Sequence, residues 1–255
     1  MQPDLATSRD FTLALLEEGL LKLCPDDGTG DTVPLNRPID QILSLLSLYI
    51  EEIERFNPAF GLVNVRNRPE LVVRHILDSL APVNLIRSLL GSSCGADKTQ
   101  FIADVGSGAG LPGIPLAICM PDSEMTLIER KGKRAGFLRY TQAVLGLSNV
   151  RVEEAEMEKL SKKKTNRFNI IVFRAFRPLE PAILKGLFGL LTPGGILAAY
   201  KGRRQAIEEE MADVLKNAET GVGPAIGNWE ALPLEVPFLN EERHLLLISQ
   251  PFNNE

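Results

Sequence analysis

The chain has 255 residues, with 28 lysines and arginines against 33 aspartates and glutamates, which gives a formal net charge of −5. With 44% hydrophobic and 24% charged residues the composition is that of an ordinary globular protein, which excludes a disordered, collagen-like or coiled-coil chain. The acidic balance argues against a protein that coats nucleic acid through bulk charge, although a local basic face remains compatible with it.

The cysteines and the N-terminal residues indicate the cellular compartment. Cys24, Cys94 and Cys119 are odd in number and widely spaced, so they predict neither a disulfide framework nor a Cys-x-x-Cys metal site. The longest apolar stretch, residues 42–50, is interrupted by serines and has about half the length of a membrane span. No basic region precedes an apolar run at the N-terminus. We therefore expect a cytoplasmic protein without membrane contact.

The first ninety or so residues have only helical periodicity. Leucines recur at helical spacing from Leu13 to Leu23, and a second apolar face extends from Ile39 to Phe56. The segment between these helices contains aspartates but lacks the ligand spacing of a calcium loop, so no metal site is predicted. A third helix is expected to begin near Pro69.

This third helix carries His75 and Asp78, three residues apart on one face. A structural hydrogen-bonded pair is the preferred interpretation over a catalytic one. The helical part is divided into an N-terminal extension (residues 1–38) and a helical cap (residues 39–95), followed by a Rossmann-like domain (residues 96–255).

From residue 101 onward, short apolar runs rich in β-branched residues alternate with helical segments. Strands are predicted over residues 101–105, 125–129, 150–152, 168–173, 196–200, 229–236 and 244–249. Only a loop separates the last two, so they should form an antiparallel pair. The fold class is therefore α/β, an open twisted sheet of seven strands with the last one antiparallel. Its ligand should bind at the carboxyl ends of the parallel strands.

A glycine-rich loop follows the first strand directly, in the sequence Asp104-Val105-Gly106-Ser107-Gly108-Ala109-Gly110-Leu111-Pro112-Gly113. Glycines let the backbone turn tightly and approach a ligand closely. Glu129 ends the second strand, where an acidic side chain accepts hydrogen bonds from both ribose hydroxyls in doubly wound nucleotide sites. The loop and Glu129 together predict an adenosine-type pocket, against the alternative of a merely structural turn.

Two registers can be read through these glycines. A dinucleotide fingerprint fits Gly108, Gly110 and Gly113, but it begins two residues too late after the strand. The pattern Asp-x-Gly-x-Gly-x-Gly, which begins at Asp104, fits without displacement and is typical of S-adenosylmethionine-binding sheets. The second register is favoured.

The segment after the fourth strand limits which kinds of atom could accept the methyl group. Enzymes that methylate exocyclic amines of adenine or cytosine usually carry an Asn/Asp-Pro-Pro-aromatic loop there, whereas residues 173–178 read Phe-Arg-Ala-Phe-Arg-Pro. Carbon-five methylation of pyrimidines needs a thiolate nucleophile, and the cysteines lie elsewhere. An atom that is already nucleophilic, such as a guanine ring nitrogen, needs only alignment with the sulfonium, so no catalytic side chain is expected.

Basic residues gather in the same half of the chain. Arg174 and Arg177 would flank the pocket, where a guanidinium could bind phosphate, stack on a base or hold the cofactor carboxylate; a surface salt bridge is the alternative. The other groups are Lys131, Lys133, Arg134 and Arg139; Lys162, Lys163, Lys164 and Arg167; and Lys201, Arg203 and Arg204. They predict a basic rim for a structured polyanion, unless they form solvated helix faces.

Several blocks, taken in order, resemble one known family. They are Asn64-Val65-Arg66, residues 74–80 (Arg-His-Ile-Leu-Asp-Ser-Leu), residues 104–116, Gly132-Lys133-Arg134, Arg174-Ala175-Phe176 and Lys201-Gly202. Together they resemble the bacterial small-subunit rRNA guanine-N7 methyltransferases, once named glucose-inhibited division protein B, over about residues 40–250. The first forty residues have no counterpart that we can place.

The resemblance implies a class I methyltransferase sheet with an N-terminal helical cap. It implies methyl transfer from S-adenosyl-L-methionine to N7 of a guanine in the decoding-region loop of 16S rRNA, with the 30S subunit as substrate. It also implies cofactor contacts by Gly106, Leu111, Arg174 and a pair after the third strand, aligned to Met157 and Glu158 or alternatively to Ala155 and Glu156.

The combined interpretation assigns roles to the remaining candidates. Asp104, Gly106, Gly108 and Leu111 would shape the cofactor loop, and Glu129 would bind the ribose. The candidates for holding RNA are Lys131, Lys133, Arg134, Arg139, Arg177, Lys201 and Arg203. We expect a monomer. The rival hypotheses are a nicotinamide-dependent oxidoreductase, a non-catalytic RNA-binding or ribosome-assembly module, and a small-molecule methyltransferase.

Overall fold

The computed structural model of the chain describes residues 5–24, 37–93, 99–162, 167–175 and 177–251. Of the sequence features above, the aspartates of residues 26–31, Cys94, Lys163, Lys164 and Phe176 lie outside these residues. Cys24 and Cys119 are buried free thiols. No helix in the described ranges is both long enough and apolar enough to cross a membrane.

The elements follow the predicted order. The helices are α1 (Leu5–Leu23), α2 (Ile39–Phe60), α3 (Arg68–Leu71), α4 (Asp78–Leu80), α5 (Val83–Ser93), α6 (Gly113–Cys119), α7 (Gly132–Leu145), α8 (Met157–Ser161), α9 (Pro181–Phe188) and α10 (Arg204–Glu219). A π-helical turn (Val72–Leu77) connects α3 to α4. The strands are β1 (Gln100–Val105), β2 (Ser123–Glu129), β3 (Val150–Glu154), β4 (Phe168–Arg174), β5 (Leu191–Lys201), β6 (Trp229–Pro233) and β7 (His244–Ser249).

The seven strands form one sheet in the order β3-β2-β1-β4-β5-β7-β6. Strands β1 to β5 are parallel, and β7 runs antiparallel to both β5 and β6. The predicted α/β fold class is therefore confirmed. The chain reverses its winding direction between β1 and β4, so the crevice at the carboxyl ends of these two strands is the expected ligand position.

Two strand boundaries differ from the predictions by three residues or more. Strand β5 begins at Leu191 rather than at residue 196, because its register against β4 shifts between Phe168 and Ile170 and the extra residues bulge around Gly194 (φ +78°). Strand β6 ends at Pro233 rather than at residue 236. The pairing with neighbouring strands decides these ends, and the residues of one strand taken alone do not show that pairing.

Each face of the sheet has its own hydrophobic core, because successive residues of a strand point to opposite sides. Ile102 packs in the core under the helical cap, with α6 and α7, whereas Ala103 packs in the core under α8, α9 and α10. Residues Leu16 and Leu20 of α1 are buried in the first core, but Leu13 is 43% exposed and does not extend the predicted apolar face. The boundaries proposed between extension, cap and Rossmann-like domain stay predictions.

The third helix departs from regular α-geometry where the sequence predicts one continuous helix. It begins as expected: the Asn67 side chain accepts a hydrogen bond from the Glu70 N–H (2.9 Å), and Pro69 lies in the first turn. The following residues then form the π-helical turn that carries Arg74 and His75. Wide turns of this kind occur frequently at functional sites.

A buried tyrosine ties the cap to the glycine-rich loop. The Tyr49 hydroxyl, on α2, donates a hydrogen bond to the carbonyl oxygen of Ala109 (2.8 Å). We expect Tyr49→Phe to lower the free energy of unfolding by about 1 to 3 kcal/mol, because a buried carbonyl loses its partner. Urea denaturation measures this, with Tyr140→Phe as the control. The exposed Tyr140 hydroxyl only accepts from Arg55, so a loss of similar size in both variants would contradict the prediction.

Candidate functional site

The loop after β1 needs its glycines. Gly106, Gly108 and Gly110 have φ values of +75°, +58° and +94°, which side chains with a Cβ rarely adopt. At Gly113 the reason is space, since a Cβ there would lie 2.3 Å from the Leu127 side chain. The loop therefore holds a shape in which its backbone is exposed to a ligand.

Asp104 supports this loop from below. Its carboxylate accepts a hydrogen bond from the Gly113 N–H (3.0 Å), and its backbone carbonyl accepts one from the Ser107 hydroxyl (2.8 Å). Burial raises the pKa of Asp104 to about 7, and the Gly113 N–H opposes that shift. A dinucleotide would place its pyrophosphate at the start of the following helix. The Asp104 carboxylate already takes the first N–H of that helix, which weighs against the dinucleotide register.

Glu129 is joined to the same loop from the neighbouring strand. It is 5% exposed; its Oε2 accepts from the Gly108 N–H (3.0 Å) and its Oε1 from the Lys131 N–H (2.8 Å). Each carboxylate oxygen has a second lone pair. Glu129 can therefore hold the loop and still accept hydrogen bonds from two hydroxyls of a ligand.

Two cavities meet at the glycine loop. The small cavity, of about 230 Å³, is lined by Glu129 and by residues 155–158 after β3. The large cavity, of about 790 Å³, lies between the cap and the carboxyl ends of β1, β4 and β5. Both reach Gly106, Arg134 and Ala175, so they are neighbouring parts of one cleft. Leu111 and Arg174 line the large cavity, whereas Asp104 lines neither.

The four residues after β3 differ in what their side chains do. Met157 is 3% exposed and packs in the core below α9, and Glu158 forms an ion pair with Arg177. Ala155 and Glu156 directly follow the strand, and the Ala155 N–H donates to the carbonyl of Glu129 (3.2 Å). All four line the small cavity, so both alignments of the predicted cofactor pair fall beside Glu129.

Arg174 connects the end of β4 to the cap. Its guanidinium donates to Asp78 Oδ2 (2.9 Å) and lies 2.9 Å from Nδ1 of His75, so the predicted His75–Asp78 pair is joined through this arginine. Arg243 donates to the other oxygen of Asp78 (2.9 Å). Ala175 follows with a φ of +49°, a strained value for a residue with a Cβ. Strain of this kind is concentrated at functional sites.

The His75 ring is neutral and has a defined tautomer. Burial, and to a smaller extent the neighbouring Arg174 charge, lower the pKa of His75 to about 4. A guanidinium has only donors, so Nδ1 accepts and the ring proton is on Nε2.

The pKa of His75 has a measurable consequence for stability. Between pH 6.5 and about 4 the unfolded chain binds a proton at His75 that the folded chain does not, so acidification lowers the free energy of unfolding, by up to about 3 kcal/mol. Asp104, with its raised pKa, contributes in the opposite direction. Between pH 8 and pH 4.5, we therefore expect the free energy of unfolding of His75→Asn to rise by about 3 kcal/mol relative to that of the wild type, as measured by urea denaturation. A difference between the two proteins that is constant with pH would contradict this.

The predicted RNA-binding residues fall into two sets. Four cations have partners: Arg134 donates to the carbonyl of Gly61 (3.0 Å), and Arg139, Arg177 and Lys201 pair with Glu154, Glu158 and Glu210. Lys131, Lys133 and Arg203 are exposed. Lys131 and Arg177 line the small cavity, and Arg134 and Lys201 line the large one.

The sequence interpretation gave no role to several residues that line the large cavity, among them Tyr200, Arg243 and His244. Tyr200 and His244 lie at strand ends, and β5 and β7 bring them together through the register Tyr200 with Leu245 and Lys201 with His244. The sequence contained a signal for this position, because the start of an antiparallel β7 must lie beside the end of β5, where the cavity is. In the described ranges, no group of three or more His, Cys, Asp or Glu residues is arranged to hold a metal ion.

Comparisons with known proteins agree on one family. The sequence model of GidB, described as rRNA small subunit methyltransferase G, matches residues 42–222. A protein of Treponema pallidum (strain Nichols) named ribosomal RNA small subunit methyltransferase G is 38% identical, covering 93% of this chain and 94% of that protein. A Stenotrophomonas maltophilia (strain K279a) protein of the same name is 36% identical, covering 93% and 95%.

These alignments reach further toward the N-terminus than the resemblance read from the sequence. A coverage of 93% leaves fewer residues unaligned than the 38 of the N-terminal extension. Part of the extension therefore has counterparts in these relatives, which the resemblance read from the sequence did not place.

Solved structures show the same fold. A Methanococcus maripaludis protein, described as an S-adenosyl-L-methionine-dependent methyltransferase, aligns with a TM-score of 0.51 at 15% identity, covering 80% of this chain and 93% of that one. A Corynebacterium glutamicum protein aligns with a TM-score of 0.50 at 14% identity, covering 82% and 92%. At these identities the likeness concerns the fold alone.

Proposed function

Because this chain belongs to the GidB family of rRNA small subunit methyltransferases, we propose that it transfers the methyl group of S-adenosyl-L-methionine to N7 of a guanine in 16S rRNA. It is an S-adenosyl-L-methionine-dependent methyltransferase by family and fold. One observation of the site carries the proposal: the buried Glu129 carboxylate holds Gly108 of the glycine loop at the point where the sheet reverses its winding.

The small cavity is the proposed adenosine pocket. Glu129 would accept hydrogen bonds from the two ribose hydroxyls, and the backbone of Gly106 and Gly108 would approach the cofactor closely. Of the two candidate pairs after β3, we propose Ala155 and Glu156, because the Met157 side chain is already packed in the core. Asp104 supports the loop, and Leu111 and Arg174 belong to the adjoining large cavity, where the methionine part would lie.

The reaction requires the protein to position the base and the methyl group rather than to transfer a proton. S-adenosyl-L-methionine supplies a methyl group on a sulfonium, and guanine N7 has a free lone pair. The chain must therefore hold the base in line with the methyl group and exclude competing orientations. The wall of the large cavity is suited to holding the base, since Arg174 and Arg243 are both fixed by ion pairs with Asp78.

The proposed substrate context is the decoding-region loop of 16S rRNA within the 30S subunit, bound by a monomeric enzyme. The exposed cations near the cleft, Lys131 and Lys133 among them, would contact RNA phosphates. A folded RNA particle offers phosphates around a base, which suits a cleft with cations at its rim.

The decisive experiment is transfer of labelled methyl to 30S subunits that lack the modification, with free 16S rRNA and 50S subunits alongside. The expected product is 7-methylguanine in the RNA of the 30S particle. Cofactor binding without transfer to any RNA would overturn the substrate assignment. Reduction or oxidation of a nicotinamide, or binding to 30S particles that needs no cofactor and gives no transfer, would support the rival hypotheses instead.

The role of Lys133 can be tested separately through the salt dependence of binding. We expect Lys133→Ala to weaken 30S binding and to reduce the slope of log K against log[salt] by about 1, because each phosphate contact releases about one counterion. The matched control is Lys185→Ala, an exposed lysine on α9 that lines neither cavity. Equal slopes for wild type and Lys133→Ala would remove Lys133 from the interface.

A further inference from the structure

The whole chain has two histidines, and both line the large cavity. His75 lies on the π-helical turn of the cap, and His244 is the first residue of β7. They belong to the same wall: His75 contacts Arg174, His244 follows Arg243 in the chain, and both arginines bind Asp78. The proposed reaction as described so far uses neither histidine.

The partners of the two Nδ1 atoms differ in kind. At His75 the partner is Arg174, a donor, so Nδ1 accepts and Nε2 carries the proton. At His244 the partner is the carbonyl oxygen of Gly202, 2.8 Å away, which can only accept. The Nδ1 of His244 therefore carries a proton, and in the uncharged form of the ring Nε2 has the free lone pair. The Glu242 carboxylate lies 3.8 Å from this Nε2, beyond hydrogen-bond distance.

The free edges of the two rings are thus opposite: His75 offers a donor, and His244 offers an acceptor. Guanine presents a matching edge, with the O6 acceptor beside N7 and donors at N1–H and the 2-amino group. Adenine presents the reverse at the corresponding positions, a 6-amino donor and an N1 acceptor.

We propose that His75 and His244 are specificity-determining residues that select guanine over adenine, His75 Nε2–H by donating to O6 and His244 Nε2 by accepting from N1–H or the 2-amino group. The inference rests on the proposed N7 transfer to guanine. Neither contact uses N7, so its lone pair stays free for the methyl group. An adenine in the same place would set donor against donor and acceptor against acceptor, and sites with unpaired polar groups reject such analogues strongly.

The matched test variants are His75→Asn and His244→Asn. An asparagine amide lies about where Nδ1 lies in histidine, so it can accept from Arg174 at position 75 and donate to Gly202 at position 244. Both substitutions can therefore keep the inner hydrogen bond while they remove the outer part of the ring, which carries Nε2. We expect kcat/KM for methyl transfer to 30S subunits to fall by roughly 10- to 100-fold in each variant, the effect of one lost hydrogen bond to a polar substrate group.

Two further measurements separate recognition of the base from a structural role. The dissociation constant of each variant for S-adenosyl-L-methionine should stay within about twofold of the wild-type value. The thermal unfolding midpoint at pH 8 should stay within a few degrees of that of the wild type. At saturating S-adenosyl-L-methionine, which keeps the proposed adenosine pocket filled, GMP should inhibit transfer by the wild type more strongly than AMP does, and the variants should lose this preference. Unchanged kcat/KM in both variants, or no preference of the wild type between GMP and AMP, would overturn the inference.

The tautomers can be read directly. Nitrogen-15 labelling of histidine gives spectra from two rings only, and we expect the Nε2–H form for His75 and the Nδ1–H form for His244. Equal tautomers would overturn the inference without any activity assay. If the wild type transferred no methyl to 30S RNA, the proposed function itself would fail. That outcome is distinct from an active wild type whose variants keep an unchanged kcat/KM, which would overturn only this inference.

Discussion

Glu129→Ala should raise the dissociation constant for S-adenosyl-L-methionine by roughly 30- to 150-fold, or about 2 to 3 kcal/mol. Two effects combine in this loss. The ribose hydroxyls lose charge-assisted acceptors, and the N–H groups of Gly108 and Lys131 lose the carboxylate that holds the loop. Isothermal titration calorimetry measures the affinity directly.

The chain offers a matched control for this variant. Glu154 is the register partner of Glu129 on the neighbouring strand, but its side chain is 44% exposed and pairs with Arg139 outside both cavities. Glu154→Ala should bind the cofactor within about twofold of the wild type, because an exposed ion pair contributes little. An unchanged dissociation constant in Glu129→Ala would remove Glu129 from the cofactor site, and equal losses in both variants would indicate a general effect on the sheet edge.

Asp78→Asn should lower the free energy of unfolding by about 3 to 5 kcal/mol, the largest stability effect expected in the chain. Asp78 is 5% exposed and accepts from both Arg174 and Arg243, at 2.9 Å each. Without its negative charge the largely buried Arg174 would lose its ion-pair partner, and Arg243 would keep only its pair with the more exposed Glu241. Methyl transfer should also fall, because Arg174 would lose the contact that positions it beside the glycine loop.

The double variant Asp78→Asn with Arg243→Gln tests the cause. Removal of one of the two neighbouring positive charges should restore part of the lost stability, whereas a loss of stability caused by altered packing alone would become larger. Glu154→Gln, which breaks an exposed ion pair with Arg139, should cost less than about 1 kcal/mol. Urea denaturation of these three proteins at pH 8 gives the comparison, and a small effect of Asp78→Asn would contradict the account.

The sheet type and the cofactor loop could be predicted without coordinates, for physical reasons. A run of alternating strand and helix signals permits few topologies, since parallel connections are right-handed and ligands bind at carboxyl ends. Glycines at positions with positive φ, such as Gly106 and Gly108, report a backbone conformation that other residues avoid. The antiparallel final strand followed from the short connection before it.

The contacts between cap and sheet were not accessible in this way. His75 and Asp78 look like a helical pair at a spacing of three, yet the arginine that joins them comes from β4, about a hundred residues later. The bulge that moves the start of β5 to Leu191 also depends on a neighbouring strand.

By itself, the sequence determined the α/β class, the glycine loop with Glu129, and the family, because these depend on local backbone preferences and on ordered motifs. Only the tertiary structure decided which cations are paired, how Asp78 holds Arg174 and Arg243, and that both histidines line one cavity with opposite tautomers. Ion pairs and tautomers depend on distances of about 3 Å between side chains, and residues far apart in the chain come that close only when the sheet and the cap pack together.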